Sequence, residues 1–105
     1  MYRATTPRHV FYFKGVDPAG FKTILITYAQ MGEIVLEKTK ADLTFEAPSD
    51  GVYRAHLRLT QEEANLFKNG NVNIQVRAVT GTGDALASEI KNLKVQEVLN
   101  DEVLE

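Results

Sequence analysis

The sequence predicts an all-β fold, a two-sheet immunoglobulin-like sandwich of about seven short antiparallel strands with one short crossover helix. Apolar and polar residues alternate with a period of two in several short runs, and turn-forming residues separate these runs. A single stretch, residues 61–68, changes to the helical period of about 3.6. A small Greek-key barrel has the same strand pattern and is the alternative.

Length and composition place the whole chain in one domain. The 105 residues contain 44% hydrophobic and 25% charged residues, which is typical of a globular protein with its own core. We expect a single β-sandwich domain over residues 1–105. Within it, residues 1–7 form an N-terminal arm and residues 97–105 an acidic C-terminal tail.

The first strands are predicted over residues 8–13 and 21–29. In the second run both faces are apolar or nearly so, which indicates a central strand of a sheet. A short glycine-containing loop leads into a strand over residues 33–39, and so tight a connection predicts an antiparallel hairpin. In this third strand we expect Ile34 and Leu36 to face the core.

The middle of the chain contains the clearest turn and the cleanest alternation. Leu43 and Phe45 mark a short strand, and residues 48–51, Pro-Ser-Asp-Gly, form a turn. Residues 52–59 then alternate between a core face and a water face. The core face carries Tyr53, Ala55, Leu57 and Leu59, and the water face carries Arg54, His56 and Arg58.

The crossover helix has a start signal in its sequence. Thr60 and Glu63 have the spacing of a capping box, in which each side chain bonds the other residue's backbone N–H group. We predict a helix over residues 61–68 that packs on the sheets through Leu66 and Phe67, because so short a helix is unstable alone.

The end of the chain predicts a hairpin followed by one irregularity. Gly70 ends the helix, and residues 72–78 form a strand that a loop over residues 80–84 connects to the last one. In that last strand the apolar residues switch once from one alternating set of positions to the other. A bulge or kink near Lys91 would produce this change.

Charge and composition argue against several classes of function. Twelve basic and fourteen acidic residues give a net charge of −2, with no basic cluster for nucleic acid or for an anionic membrane. The absence of cysteine excludes disulfides and thiolate chemistry. No signal peptide is recognisable and no run is long enough to span a membrane, so we expect a protein that is not secreted by a signal peptide.

No residue pattern predicts catalysis, a metal or a cofactor. His9 has no nearby carboxylate in the sequence, and His56 lies between two arginines that would oppose a cation. The adjacent Glu62 and Glu63 point about 100° apart on a helix and cannot flank one bond. Neither serine lies in a nucleophile elbow. We therefore expect no enzymatic activity and no cofactor.

Two groups of residues are candidates for contact with a partner. The water-facing arginines and histidine of residues 54–58 form a basic stripe, which is either solvated or meets an acidic surface. The C-terminal tail is either frayed or docks on a neighbouring subunit through its aliphatic residues. The candidate contact residues are Arg54, His56, Arg58, Val98, Leu99, Val103 and Leu104.

Several segments together resemble a group of small prophage-encoded proteins of Firmicutes bacteria. They are the opening MYRATTP, then ILITYAQ with EIVLEK, LTQEE with LF, IQVR, ALAS and LNDEVL. The strand–LTQEE–strand middle is also similar to the β-sandwich module at the start of phage baseplate upper proteins. Neither resemblance brings catalytic residues.

The resemblance implies a non-enzymatic phage structural or assembly protein that acts through protein–protein contacts. Its partners would be phage structural proteins or further copies of itself, with the arm and the C-terminal tail as contact elements. Its location would be the bacterial cytoplasm during assembly, and then the virion. The alternative function is a small carbohydrate- or host-surface-binding module, since the chain has four tyrosines and five phenylalanines.

Overall fold

A computed structural model describes residues 1–105 as eight strands and one α-helix, with two short 3₁₀ turns at Pro18–Gly20 and Lys40–Asp42. The elements are β1 (Arg8–Lys14), β2 (Thr23–Gln30), β3 (Glu33–Thr39), β4 (Thr44–Phe45), β5 (Val52–Arg58), α1 (Gln61–Ala64), β6 (Gly70–Val79), β7 (Ala85–Ala87) and β8 (Lys91–Val95). No helix has the length and apolar character needed to cross a membrane.

The strands form two antiparallel sheets. One sheet has the order β1-β5-β4, and the other has the order β3-β2-β6-β7, with β8 also paired to β6. If β1 is taken as the second strand of an immunoglobulin domain, these orders are B-E-D and C′-C-F-G, the arrangement of a variable-type domain. The predicted two-sheet immunoglobulin-like sandwich is confirmed, and the barrel alternative is wrong.

Two hairpins are closed by two-residue turns in which both central residues have positive φ. Met31 and Gly32 have φ of 51° and 78°, and Asp50 and Gly51 have φ of 52° and 71°. This is the type I′ geometry, whose twist matches that of the flanking strands and which favours glycine at its second position. The β2–β3 hairpin lies within one sheet. In the second turn Asp50 and Gly51 are the central residues, between Ser49 and Val52, so Pro48 precedes the turn and does not form it.

The core lies between the inner faces of the two sheets. Ile24, Ile26 and Tyr28 extend from β2, and β5 contributes Leu57, followed by Leu59. The alternation predicted for β5 is confirmed, as is the central position of β2 between β3 and β6. The remaining buried hydrophobic members of the core cluster are Phe21, Phe67, Val72, Ala78 and Val95.

Ile34 does not face the core as predicted, because β3 contains a bulge. Tyr28 pairs with Leu36, but the next residue of β2, Ala29, pairs with Ile34. The extra residue, Val35, reverses the facing of the strand beyond it. Leu36 still packs against the core, whereas Ile34 is 62% exposed.

The crossover helix is one turn shorter than predicted. The capping box is present, since Thr60 and Glu63 each accept a hydrogen bond from the other's backbone N–H. The helix ends after Ala64, so Phe67 turns into the core at 1% exposed while Leu66 is 56% exposed. Gly70 does not end the helix, and instead begins β6.

The predicted phase change in the last strand is present, but it lies before Lys91. Ala87 pairs with Arg77, and Lys91 pairs with Ile74. Residues 87 and 91 are four positions apart, whereas their partners on β6 are three positions apart, so this strand contains one extra residue. The extra residue separates the run into β7 and β8. Ser88 stabilises the break, because its backbone N–H donates to Val76 O and its Oγ accepts from Val76 N.

The N-terminal arm belongs to the sandwich. The Met1 ammonium donates to Lys94 O at 2.8 Å, Gln96 N donates to Met1 O and Arg3 N donates to Gln96 O. Tyr2 thus forms a parallel bridge with Gln96, at the end of β8. Further along, Leu59 N donates to Pro7 O and extends the β1–β5 ladder by one pair. The arm is therefore held along most of its length.

A candidate partner-binding groove

The two sheets are open to solvent along one side of the sandwich. β1 is the outermost strand of its sheet, and β7 and β8 are the outermost strands of the other. On the opposite side the chain itself crosses from β3 to β4 through the turn Lys40–Asp42, whose Lys40 ammonium donates to Ala19 O and Phe21 O. The side between β1 and β7–β8 presents two outer strand edges with a cleft between them, which we call the groove.

The free edge of β1 carries a regular row of backbone groups. Gly15 N donates to Gly51 O at one end of the β1–β5 ladder, and Leu59 N donates to Pro7 O at the other. Antiparallel pairs alternate between bonded and non-bonded, so the odd-numbered residues of β1 bond to β5. The N–H and C=O groups of Arg8, Val10, Tyr12 and Lys14 therefore point away from the sheet, as in any unprotected edge strand.

The opposite edge is half covered. Residues 1–3 bond to Lys94 and Gln96, which are the outward-pointing residues at the end of β8. By the same alternation, the backbone of Asn92 points outward, and neither its N–H nor its C=O bonds to the arm. An additional strand could thus continue along β8 beyond the position where Met1 stops.

The groove between these edges is apolar. It encloses about 690 Å³, and 12 of its 19 lining residues are hydrophobic. Its walls come from the inner faces of both sheets, with Phe13 of β1 on one side and Val76 of β6 and Leu86 of β7 on the other. Phe13 packs edge-on against Phe21, with the ring centroids 6.0 Å apart. Because these side chains remain partly exposed, an occupant would bury them.

One wall of the groove contains a histidine that bonds deep into the core. His9 Nδ1 lies 2.6 Å from the hydroxyl of Tyr28, and the two rings are 5.5 Å apart. Burial, followed by the positive charge of the N-terminus, lowers the pKa of His9 from its ordinary value of 6.5. Burial and then the charge of Glu63 raise the pKa of Tyr28 well above its ordinary value. Both groups are therefore neutral at pH 7.

The rim of the groove is basic, although the whole chain is slightly acidic. Arg8, Lys14 and Lys91 are among the lining residues, against a single acidic one, Glu89. Glu89 also accepts from Lys91 at 3.4 Å in a largely exposed pair, which contributes little energy. An acidic segment is therefore the electrostatic complement of this rim.

The basic stripe predicted from the sequence lies on a different surface, the outer face of the β1-β5-β4 sheet. Two of its members already have partners in the chain: the Arg54 guanidinium lies 5.5 Å from the centre of the Tyr12 ring, and His56 Nε2 is 3.1 Å from a Glu46 carboxylate oxygen. Arg58 is exposed, and it stands opposite Arg8 in the β1–β5 register. The stripe therefore adjoins the basic rim through Arg8.

The C-terminal tail packs on its own chain near α1. The side-chain amide of Gln61 donates to Leu104 O at 2.7 Å and accepts from Leu104 N at 2.8 Å. Asn65 Nδ2 donates to Asp101 O, and the Asp101 carboxylate pairs with the Arg3 guanidinium at 3.0 Å. No hydrogen bond or ion pair joins this tail to the basic stripe.

The aliphatic side chains of the tail contribute little to this packing. Leu99 is fully exposed and Leu104 is 72% exposed, whereas Val103 is 40% exposed and Val98 is also partly covered. These are the four residues that the sequence predicted as partner contacts. The structure attaches the tail by polar groups and leaves Leu99 and Leu104 largely uncovered.

Sequence reasoning missed the groove as a site. Phe13 and Val76 lie within predicted strands, but openness between two sheets cannot be deduced from the alternation of one strand at a time. His9 likewise meets Tyr28 from 19 positions away, beyond any local pattern.

The side chains of the chain contain no group of three or more histidine and acidic residues that could hold a metal ion.

No protein-family model matches the chain, and no curated protein matches it. Among solved structures, the V domain of amphioxus IgVJ-C2 covers 90% of this chain and 95% of its own, at 13% identity and a TM-score of 0.33. At that score the likeness adds nothing to the strand order, on which the fold assignment rests.

Proposed function

We propose that this chain is a non-enzymatic structural or assembly module of a phage or prophage, and that it binds an extended segment of a partner protein in the groove. The observation that carries the proposal is the row of unpaired backbone groups on β1 beside an apolar cleft of about 690 Å³. The phage setting is supported by the sequence resemblance alone.

The mode of binding would be addition of a strand to an exposed sheet edge. The partner's backbone would bond to the outward N–H and C=O groups of β1, and these bonds supply affinity for any extended chain. Every second side chain of the partner would enter the groove between Phe13 and Leu86. Selectivity would then depend on apolar residues at alternate positions, with acidic residues beside the basic rim.

A selection from a displayed library of random peptides tests this proposal. We expect enrichment of extended sequences with alternating aliphatic residues and flanking acids. Tyr12→Pro should abolish capture, because proline removes a backbone donor and is tolerated where an edge strand's N–H faces solvent. Tyr12→Ala is the matched control: it loses the same ring contact with Arg54 but keeps the N–H group. Equal enrichment on Tyr12→Pro, or none on the wild type, would overturn the proposal.

The carbohydrate- or host-surface-binding alternative has less support. Sugar-binding sites usually present exposed aromatic faces, and the exposed ring at the groove, Tyr12, has the Arg54 guanidinium over its face. Glycan-array binding that is lost equally in Tyr12→Ala and Tyr12→Pro would favour that alternative, because both variants lack the aromatic ring.

A further inference from the structure

We propose that the occupant of the groove is the C-terminal tail of a second copy of this chain. This inference rests on the proposed function and names its partner. Residues 97–105 contain four acidic residues, Glu97, Asp101, Glu102 and Glu105, and no basic one. The groove rim has three basic residues and one acidic residue among its lining, so the two surfaces are complementary in charge.

The tail also matches the groove in apolar content and in length. Its aliphatic residues include Leu99 and Leu104, which are largely uncovered in the single chain, whereas the groove walls are apolar and partly exposed. An extended chain rises about 3.3 Å per residue, so nine tail residues reach about 30 Å. That distance exceeds the roughly 23 Å of β1, counted at the same rise for its seven residues.

The contacts that hold the tail in the single chain are exposed and polar. They are the Gln61–Leu104 pair of hydrogen bonds, the Asn65–Asp101 bond and the Arg3–Asp101 ion pair. Surface contacts of this kind contribute little stability, because water competes for the same groups. A groove that buries its aliphatic side chains therefore offers the tail apolar contacts that its own chain does not provide.

The tail of one chain is poorly placed to fill its own groove. It leaves β8 at Gln96, whose outer edge is already bonded to residues 1–3. This segment lies between the start of the tail and the free part of the edge near Asn92. A tail from another copy approaches without this obstruction. The contact joins different surfaces of the two copies, so repetition gives a ring or an open chain of subunits.

A complementation experiment tests the inference. One variant, Tyr12→Pro, has a blocked groove and an intact tail, and a second, lacking residues 97–105, has an intact groove and no tail. We expect each to be monomeric by light scattering, near the 11.7 kDa of one chain, and their mixture to form a one-to-one heterodimer. The wild type should form larger species whose mass rises with concentration.

A charge reversal and a second groove variant sharpen the test. Lys91→Glu should weaken binding of a labelled peptide of residues 97–105 at least tenfold at low salt. Lys94→Glu, three positions further along the same strand and not part of the groove lining, should leave binding within twofold. Leu86→Glu replaces Tyr12→Pro if the proline variant fails to fold, since Leu86 is exposed on an edge strand.

Two results would overturn the inference. One is a mixture that stays monomeric, and the other is self-association of the tail-free variant as strong as that of the wild type, which would indicate direct pairing of β1 edges. If the displayed library still yields peptides that depend on the groove, the proposed function stands and only this inference fails. If the library also yields none, both fail.

Discussion

His9 and Tyr28 meet across the sandwich, with the imidazole Nδ1 2.6 Å from the phenol oxygen. The two residues belong to different sheets, since His9 lies on β1 and Tyr28 lies on β2. The bond therefore links the edge strand of the groove to the central strand of the other sheet. It places a titratable group where protonation would require a charge in a largely buried site.

Stability should decrease as the solution is acidified through the ordinary titration range of histidine. Burial lowers the pKa of His9 below 6.5, so in this range the unfolded chain binds more protons than the folded one. The contribution of neutral His9 to stability is fully present above pH 6.5, and it is lost as the pH falls towards the lowered pKa of the folded state. Urea unfolding between about pH 8 and pH 5 should show this loss, and His9→Gln should reduce it. Equal pH dependence in the two proteins would contradict the assignment.

A second loss of stability, at a more acidic pH, should come from protonation of Glu63. Burial alone would raise the pKa of its carboxyl, but hydrogen bonds from Lys38 and Thr60 and the charge of Lys38 outweigh it, so the pKa lies below 4.5. The stabilisation is present above pH 4.5 and is lost as the pH falls through the lowered value. Glu63→Gln should make the unfolding free energy decrease less as the pH falls through this range. Glu62→Gln is the control, because it removes a charge from the same turn without touching Lys38.

Replacement of Gln30 should be unusually destabilising for a polar residue. Its buried amide donates to Lys68 O at 2.7 Å and accepts from Lys68 N at 2.8 Å, and so fastens the segment after α1 to β2. Gln30→Ala leaves both backbone groups unpaired and should cost about 1–3 kcal/mol in unfolding free energy. Gln75→Ala, which loses one exposed bond to Ser88 O, should cost less than about 0.5 kcal/mol. Similar losses in both variants would contradict this explanation.

Adjacent residues after the helix should respond very differently to truncation. Phe67 is 1% exposed and packs on Tyr28 with ring centroids 5.7 Å apart, whereas Leu66 is 56% exposed. Phe67→Ala should cost about 3–5 kcal/mol and Leu66→Ala about 0.5 kcal/mol or less, by chemical denaturation. Phe67→Leu gives a milder loss if the alanine variant does not fold. Comparable losses at positions 66 and 67 would mean that both are buried.

The sequence was sufficient for the architecture because the determining signals are local. Alternation in residues 52–59 identified the core face of β5, and Thr60 with Glu63 identified the start of α1. The hairpin between β2 and β3 followed from the length of its loop. Each of these inferences uses side chains only a few positions apart, where the backbone geometry limits the outcomes.

The errors and omissions arose where distant parts of the chain decide the outcome. Ile34 faces solvent because one residue of β3 is left without a partner on β2, and no local pattern specifies which residue that is. The end of α1 is set by the need to turn Phe67 into the core. The groove and the packing of the tail on Gln61 depend on how completed sheets and chain ends meet.

The β1–β5 pairing also has a consequence for the order of folding. The nearest pair of the ladder, Lys14 and Val52, is 38 positions apart in the chain, whereas the β2–β3 turn joins neighbouring segments. Contacts that close long loops form slowly, because chain entropy is lost before they contribute energy. We expect β1 to join β5 only after the β2–β3 hairpin has formed. The groove, one wall of which is β1, would thus be completed later than that hairpin.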